Sequence, residues 1–286
     1  MVRAGERSVN QLLYLLYDIR EAVPFTLAIL HPMPPRTPRS GAARATQPPS
    51  FRPLYLQIRD LLVERLDAGE WRPGEAIPSE LELASRYNVS HGTVRKALGA
   101  LAADNLLVRR QGKGTFVATH TEERSSMFRF LRIRRNDGRD EYPASRLIDV
   151  RRGKATADVA RALEMKPGDP VFVVRRVLEY EGEPAVLDEI VLPAALFKGL
   201  SRAKVQAYRG SMYSLFETQF GVRIVKATEK LRAVVADAPT ASLLRVEPGQ
   251  PLLAVERVTR TYGDRPVEWR RGLCCTRRHH YVNDLG

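Results

Sequence analysis

The residues with the most evident chemical potential lie in one run, Ser90-His91-Gly92-Thr93-Val94-Arg95-Lys96. At helical spacing Val94 shares a stripe with Ala97, Leu98 and Leu101, while His91, Thr93, Arg95 and Lys96 gather near the start on the outward side. Imidazole, hydroxyl, guanidinium and ammonium donors in that arrangement suit hydrogen bonds to base edges and phosphates. A second basic set sits in LLVRRQGKGTFV, where Arg110 and Lys113 accompany a glycine turn between two apolar runs. A lysine on such a turn suits phosphate as a point charge. No nucleophile and base pair can be named: His279 and His280 stand near Glu268 in sequence, without a third partner. Cys274 and Cys275 are adjacent, and no CxxC or Cys/His cluster accompanies them. Reduced, space-filling thiols are expected, with no catalytic residue, metal or cofactor.

Three helices and a hairpin must position these groups. Pro53 suits the first turn of a helix, and Leu54, Ile58, Leu61, Leu62 and Leu66 recur at helical spacing until Gly69 and Pro73-Gly74 end it. Ser79, with Glu82 three residues on, predicts a capping box opening a short second helix, to which Leu81, Leu83 and Ala84 supply apolar contacts. Asn88 falls in the following turn, and Ser90 caps the third helix. The run from Leu106 to Val117 then reads as strand, turn at Gly112, Lys113 and Gly114, and strand. Two short helices joined by a tight turn, with a hairpin wing beside them, form a unit that can enter a major groove.

The chain has 286 residues, enough for about two domains, with 44% apolar and 28% charged residues. Its 46 basic and 33 acidic residues leave a formal charge of +13. That excess favours a polyanionic partner over a plain metabolic enzyme. In the first fifty residues, Leu12, Leu15, Leu16 and Ile19 could share one face of a short helix ending before Pro24. No run of about 18 uncharged apolar residues occurs, so no membrane span is expected, and no small-residue cleavage site follows LLYLLY. Residues 32–49 are rich in Pro, Arg, Ala, Ser and Thr. Residues 1–50 read as a flexible or mis-assigned leader, with Met33 an alternative start.

Beyond residue 124 the pattern changes to strands. DPVFVVRRVLEYEGEPAVLDEIVLP and QPLLAVERVTRTYGDRPVEWRRG each contain a Gly/Pro turn, at Gly182 to Pro184 and at Gly263 to Pro266, and read as antiparallel hairpins. VRIVKATEKLRAVVA adds a further strand, and ATADVARALEM and SMYSLFETQFG have helical spacing. The expected class is α+β, a winged helix-turn-helix followed by an antiparallel sheet with packed helices. PGDPVFVVRRV and PGQPLLAVERV echo one another, as two related hairpins facing a common cleft would. The arginines of FRFLRIRRNDGRDEYPAS either lie against phosphates or stay solvated, with solvation favoured.

Residues 53–118 resemble the winged helix-turn-helix of GntR-family bacterial regulators through PLYLQI, the Gly69 to Gly74 turn, IPSE, VS-x-x-TVR and QGKGTFV. The resemblance implies DNA contacts from Ser79, Ser90, His91, Thr93, Arg95, Lys96, Arg110 and Lys113. Leu81 and His91 stand where family members often carry arginine, which alters the expected operator. The later half resembles the HutC-type effector domain (UTRA), whose fold is like that of chorismate lyase, through RLIDVRR, ALEMKPGDPVFVVRRV, EPAVLDEIVLP, SMYSLFE, EKLRAVVAD and GQPLLAVERVTRTYGDRPVEW. It implies a small-molecule effector between sheet and helices, held by Ser145, Arg176, Asp188, Ser211, Tyr213 and Glu268, with Arg176 on an anionic group. Other readings stay open at those positions. Ser211 could only cap its helix, Tyr213 could only pack, and Arg175 or Arg176 could only pair with Glu256 or Glu179. The CCTRRHHY tail departs from the ending of sugar-phosphate-sensing members.

The expected layout is therefore a leader at 1–50, the DNA-binding domain at 51–120, a linker at 121–140 and the sensing domain at 141–283. The expected function is a cytoplasmic, homodimeric repressor on a palindromic operator in double-stranded DNA, released or recruited by the effector, with no membrane association. The alternatives are a ligand-independent architectural DNA-binding protein and a chorismate-lyase-like enzyme.

Overall fold

Pro53 immediately precedes the first helix, α1 (Leu54–Asp67), rather than lying in its first turn, and makes no side-chain capping bond, in a computed structural model that describes residues 52–121, 130–139 and 141–283. The expectations for residues 1–50 lie outside the described residues. Ile58, Leu62 and Leu66 of α1 are buried, but Leu54 and Leu61, expected in the same stripe, are exposed. Leu61 stands about 100° round the helix from Leu62, and Leu54 is the first helical residue, one turn before the buried line begins. In α2 (Glu80–Tyr87) the capping box forms as expected: Ser79 Oγ accepts from Glu82 N at 3.3 Å and Glu82 Oε2 from Ser79 N at 2.7 Å. Such a cap contributes about 1 kcal/mol. Leu83 is buried, whereas Leu81 is 71% exposed and makes no core contact of the kind expected. Two residues along a helix are about 200° apart, so Leu81 and Leu83 cannot face the same core.

Asn88 turns the chain in the left-handed region at φ 50°, and Ser90 caps α3 (His91–Ala103) by accepting from Thr93 N at 3.2 Å. Val94, Ala97, Leu98 and Leu101 are buried against α1, which leaves the basic side of α3 outward. Strands β1 (Leu107–Arg110) and β2 (Gly114–Val117) form the wing, with Leu107 opposite Val117. Gly112 at φ +69° and Gly114 at φ +109° close its tip, a conformation that a side chain would strain.

The second region holds β3 (Ile133–Arg135), β4 (Ala144–Lys154), α4 (Ala157–Ala162), β5 (Pro170–Tyr180), β6 (Glu183–Pro193), α5 (Arg202–Ala207), α6 (Met212–Phe220), β7 (Lys226–Val235), α7 (Ala238–Leu244), β8 (Pro251–Arg260), β9 (Pro266–Cys274) and β10 (His279–Tyr281). Six strands make one antiparallel sheet in the order β4-β5-β6-β9-β8-β7, with the expected hairpins β5/β6 and β8/β9. Alternation along β5 and β6 assigns the faces. Phe172, Val174, Ile190 and Leu192 pack under α6 on one face, while Val177 and Leu187 pack with α7, and Val171 and Val173 with α4, on the other. Cys274 joins the core of Leu178 and Val186, and Cys275 the opposite core of Val177 and Leu187. Burial pushes the Cys274 thiol well above its usual range. This is the α+β architecture the sequence implied.

Within the stretch read as a linker, Ile133–Arg135 forms β3 and pairs with β10. Arg135 lies 2.6 Å from Asp137, 3.0 Å from Glu181 and 3.3 Å from Glu141, so carboxylates engage it rather than phosphate or water alone.

The end of the wing region meets α6 and the segment after it. Glu217 accepts hydrogen bonds from Thr119 Oγ1 and from His120 N at 3.2 Å. Arg223 donates to the carbonyls of Leu106 at 3.3 Å and Asn105 at 3.1 Å, and to the Tyr262 hydroxyl at 2.8 Å. Its Nε lies 3.7 Å from Glu217, and His120 Nε2 bonds the Ile224 carbonyl at 2.8 Å. Burial pushes the Glu217 carboxyl above its usual range, against the pull of Thr119, Arg223 and His120. A raised carboxyl adds stability below its unfolded pKa and loses it as pH rises through the folded one. Wild type should therefore gain stability relative to Glu217→Gln as the pH falls from about 7 to about 5. Urea unfolding of both proteins across that range measures the difference; a constant gap would remove Glu217 as the titrating group.

Candidate functional site

The DNA-facing candidates gather where the starts of α2 and α3 approach the wing. Arg95 is 60% exposed, with its Nε donating to Glu80 Oε2 at 3.0 Å. His91 Nε2 lies 3.0 Å from the same oxygen, and Arg109 Nη2 donates to Glu80 Oε1 at 3.3 Å. Glu80 thus holds three cationic or imidazole side chains in one fan. In the sequence Glu80 is visible only as the last residue of IPSE, with no role evident there. The available signal was its first-turn position, directly after the cap. Ser90 and Thr93 are coupled through their hydroxyls at 2.9 Å, and Lys96 is exposed one residue beyond Arg95. Arg110 lies over the Phe116 ring, 4.7 Å from its centroid, and Lys113 is exposed at the wing tip. Ser79 and Ser90 serve as caps, so their helix starts present backbone N–H groups and positive dipole ends outward. An open cleft of about 510 Å³ between Ser79, Glu80, Arg109 and Lys113 separates the helices from the wing.

The effector candidates meet on the face of the sheet that α6 covers. Arg176 and Asp188 are directly opposed on β5 and β6. Arg176 Nε and Nη2 reach Asp188 Oδ2 at 3.1 and 3.0 Å, and Nη1 reaches Ser145 Oγ at 3.5 Å. Pairing partner and burial both differ from the sequence alternative. Arg176 takes Asp188, while Glu179 takes Arg146 at 2.6 Å. Glu268 is fully buried; it accepts from Thr259 Oγ1 at 2.9 Å and from Arg270 Nε at 2.8 Å. Tyr213, the second residue of α6, accepts from Arg257 Nη1 at 3.1 Å, and burial pushes its phenol up to about 12. Ser211 stands apart from this network as the cap of α6, accepting from Ser214 N at 3.1 Å.

Three members of the network were missed. Arg270 lies 3.5 Å from Asp188 and 5.2 Å above the Tyr213 ring. Arg257 donates to Glu229 at 2.6 Å and to the Phe130 carbonyl, and Glu229 also accepts from Tyr281. Arg257 and Arg270 are opposed across β8 and β9, an arrangement of like charges that Glu229 and Glu268 must offset. Burial works against the Arg270 charge, but Glu268, Tyr213 and Asp188 outweigh it and hold the guanidinium above its usual range. A signal existed for Arg270. If Glu268 points inward on β9, the residue two further along must as well.

A DNA-reading helix with a wing, joined to a sheet domain carrying a polar cleft, defines a ligand-responsive DNA-binding regulator. A family model described as bacterial regulatory proteins, gntR family, matches residues 54–117, and one described as the UTRA domain matches residues 138–280. The chain belongs to the GntR family of bacterial regulators, in its HutC-type branch with a UTRA domain. It is 30% identical over 234 residues, 80% of this chain and 93% of the relative, to the probable fructoselysine utilization operon transcriptional repressor of Escherichia coli (strain K12). It is 31% identical over 237 residues, 81% of this chain and 91% of the relative, to the histidine utilization repressor of Pseudomonas putida. A solved ligand-binding domain of a GntR-family transcriptional regulator from Bordetella bronchiseptica is 46% identical, with TM-score 0.53, over 55% of this chain and 98% of that one. The chain is a DNA-binding transcription regulator under ligand control. Among the described residues, no helix is long and apolar enough to cross a membrane, and no group of three His, Cys, Asp or Glu could hold a metal ion.

Proposed function

We propose that the chain is a homodimeric repressor of the bacterial cytoplasm, associated with the nucleoid when bound to its operator. Two copies of the 51–120 domain read palindromic half-sites in successive major grooves. In each, His91, Thr93 and Arg95 reach base edges, while Lys96, Arg110, Lys113 and the capped helix starts at Ser79 and Ser90 take phosphates. The 141–283 domain binds the effector at Arg176, Asp188, Tyr213 and Glu268, with Ser145 and Ser211 at its margin, and carries no catalysis. The naming of the relatives as repressors supports repression.

One observation carries the reading: α6 places Tyr213 in the polar cleft and Glu217, about one helical turn further, on Thr119 and His120 at the end of the wing region. An effector that shifts α6 thereby shifts the attachment of the DNA-binding unit. A coupling of about 1–3 kcal/mol changes operator occupancy by about fivefold to a hundredfold. Sensing rather than turnover is supported by Asp188, Glu229 and Glu268, since each is held by a guanidinium.

Selection of bound duplexes from a random library tests this. The expected product is a palindrome whose half-sites lie about one helical turn apart, bound by two chains. A single half-site bound by one chain would overturn the dimeric reading. On the selected duplex, Lys113→Ala should weaken binding to all sequences alike and lower the salt slope by about one unit. A loss confined to particular bases would contradict its phosphate role.

A further inference from the structure

Glu80 is the first helical residue of α2, and its side chain is only 23% exposed. The three side chains it holds are more open: Arg95 is 60% exposed, Arg109 45% and His91 39%. The carboxylate thus lies beneath groups that face outward, and those groups come from two further elements, α3 and strand β1 of the wing.

Its two oxygens divide the work. Oε2 takes Arg95 Nε and His91 Nε2, both at 3.0 Å, and Oε1 takes Arg109 Nη2 at 3.3 Å. The same Arg109 nitrogen donates to the Arg95 carbonyl at 3.2 Å, and Arg95 Nη2 lies 3.4 Å from His91 Nδ1. Helix and wing are therefore joined through their own reading groups, with Glu80 as the shared anchor. Arg110 and Lys113 line the same cleft and add positive charge around it.

A carboxylate in this place opposes the binding of a polyanion. Phosphates repel it, and it cancels one of the positive charges that would otherwise displace counterions. Nor is α2 what its oxygens serve. An acidic first-turn residue steadies a helix by facing the free N–H groups, as Glu82 does in accepting from Ser79 N at 2.7 Å. Glu80 instead directs both oxygens to side chains of other elements. What it supplies is order: three side chains with several rotamers each are held in one arrangement before DNA arrives, so less entropy is lost on binding. That arrangement helps only with a duplex whose bases match it.

We propose that Glu80 is a selectivity residue of the DNA-reading face. Its charge lowers affinity for duplex of any sequence, and its hold on Arg95, His91 and Arg109 preserves affinity for the operator. Glu80 acts through these side chains, as a positioning residue, and Arg109 joins the reading face from the wing. The proposal rests on the reading of residues 51–120 as the DNA-binding domain.

The test compares the full chain as wild type, Glu80→Gln and Glu80→Asp. Each is bound to the selected duplex and to a random duplex of equal length over a series of salt concentrations, and each is melted thermally. Gln keeps the size and loses the charge, whereas Asp keeps the charge and loses reach. Glu80→Gln should bind random duplex about threefold more tightly, with a salt slope steeper by about one unit. Its preference for the operator should fall about tenfold, the scale of one base contact. Glu80→Asp should bind random duplex as wild type does, yet lose about threefold in preference. A role confined to the first turn of α2 predicts a lower melting temperature in Glu80→Gln and an unchanged preference in both variants, and that result would overturn the proposal. If Glu80→Gln does not fold, Glu80→Asp decides alone, and a wild-type preference in it overturns the proposal. A wild-type chain that prefers no duplex over random sequence loses the DNA-binding reading itself. One that prefers its operator equally in all three forms loses only this inference.

Discussion

Arg176→Ala is expected to destabilise the sensing domain by about 3 kcal/mol, the lower end of what breaking a buried pair costs. For an exposed ion pair such a substitution would cost little. Here both partners are buried and the guanidinium makes two bonds to one oxygen. Removing it strands a carboxylate that retains only Arg270 at 3.5 Å. Replacing both partners, as in Arg176→Met with Asp188→Leu, should recover most of the loss, since no charge is then left buried alone. Urea unfolding of the three proteins gives the comparison. A loss below about 1 kcal/mol in the single variant would mean that water reaches Asp188 and that the cleft is wetter than its burial implies. It follows that a failed ligand response in Arg176→Ala is interpretable only beside its unfolding curve.

Arg95→Ala should lower affinity for the selected operator by about 1–3 kcal/mol while leaving non-specific duplex binding within a few-fold. The fold should survive, because the α3 stripe of Val94, Ala97, Leu98 and Leu101 does not include Arg95. The geometry adds a reason for selectivity. Glu80 fixes the guanidinium through Nε, which leaves its other edge directed by the protein rather than searching rotamers in solution. Competition binding with operator and random duplex, alongside a thermal melt, measures both quantities. Unchanged operator affinity in a well-folded variant would remove Arg95 from the interface.

The DNA-binding half was largely legible because its determinants are local. A Ser-x-x-Glu box, a left-handed Asn and a glycine-closed wing each act within four residues, and all three form. Leu81 was misread for a local reason too, since apolar type was given more weight than angular position. The cleft was legible only in part. Arg176, Asp188 and Glu268 followed from resemblance, but Arg257, Arg270 and Glu229 acquire their roles from register across three strands. The pairing of Glu229 with Arg257 and of Arg257 with Arg270 cannot be read along one segment. The bond from Thr119 to Glu217 spans 98 positions and leaves no trace in local pattern.

The two cysteines occupy neighbouring positions yet look into opposite cores of one sheet, and the chain has no others. A thiol reagent in solution therefore finds both shielded while the sheet is intact, and Cys274 holds its proton strongly as well. The DNA-reading half contributes no sulfur signal at all. The chain thus contains its own chemical clock for the opening of the sensing domain, with one hand on each side of the sheet. Alkylation rate at two adjacent residues reports which core loosens first when a ligand enters, with no label added.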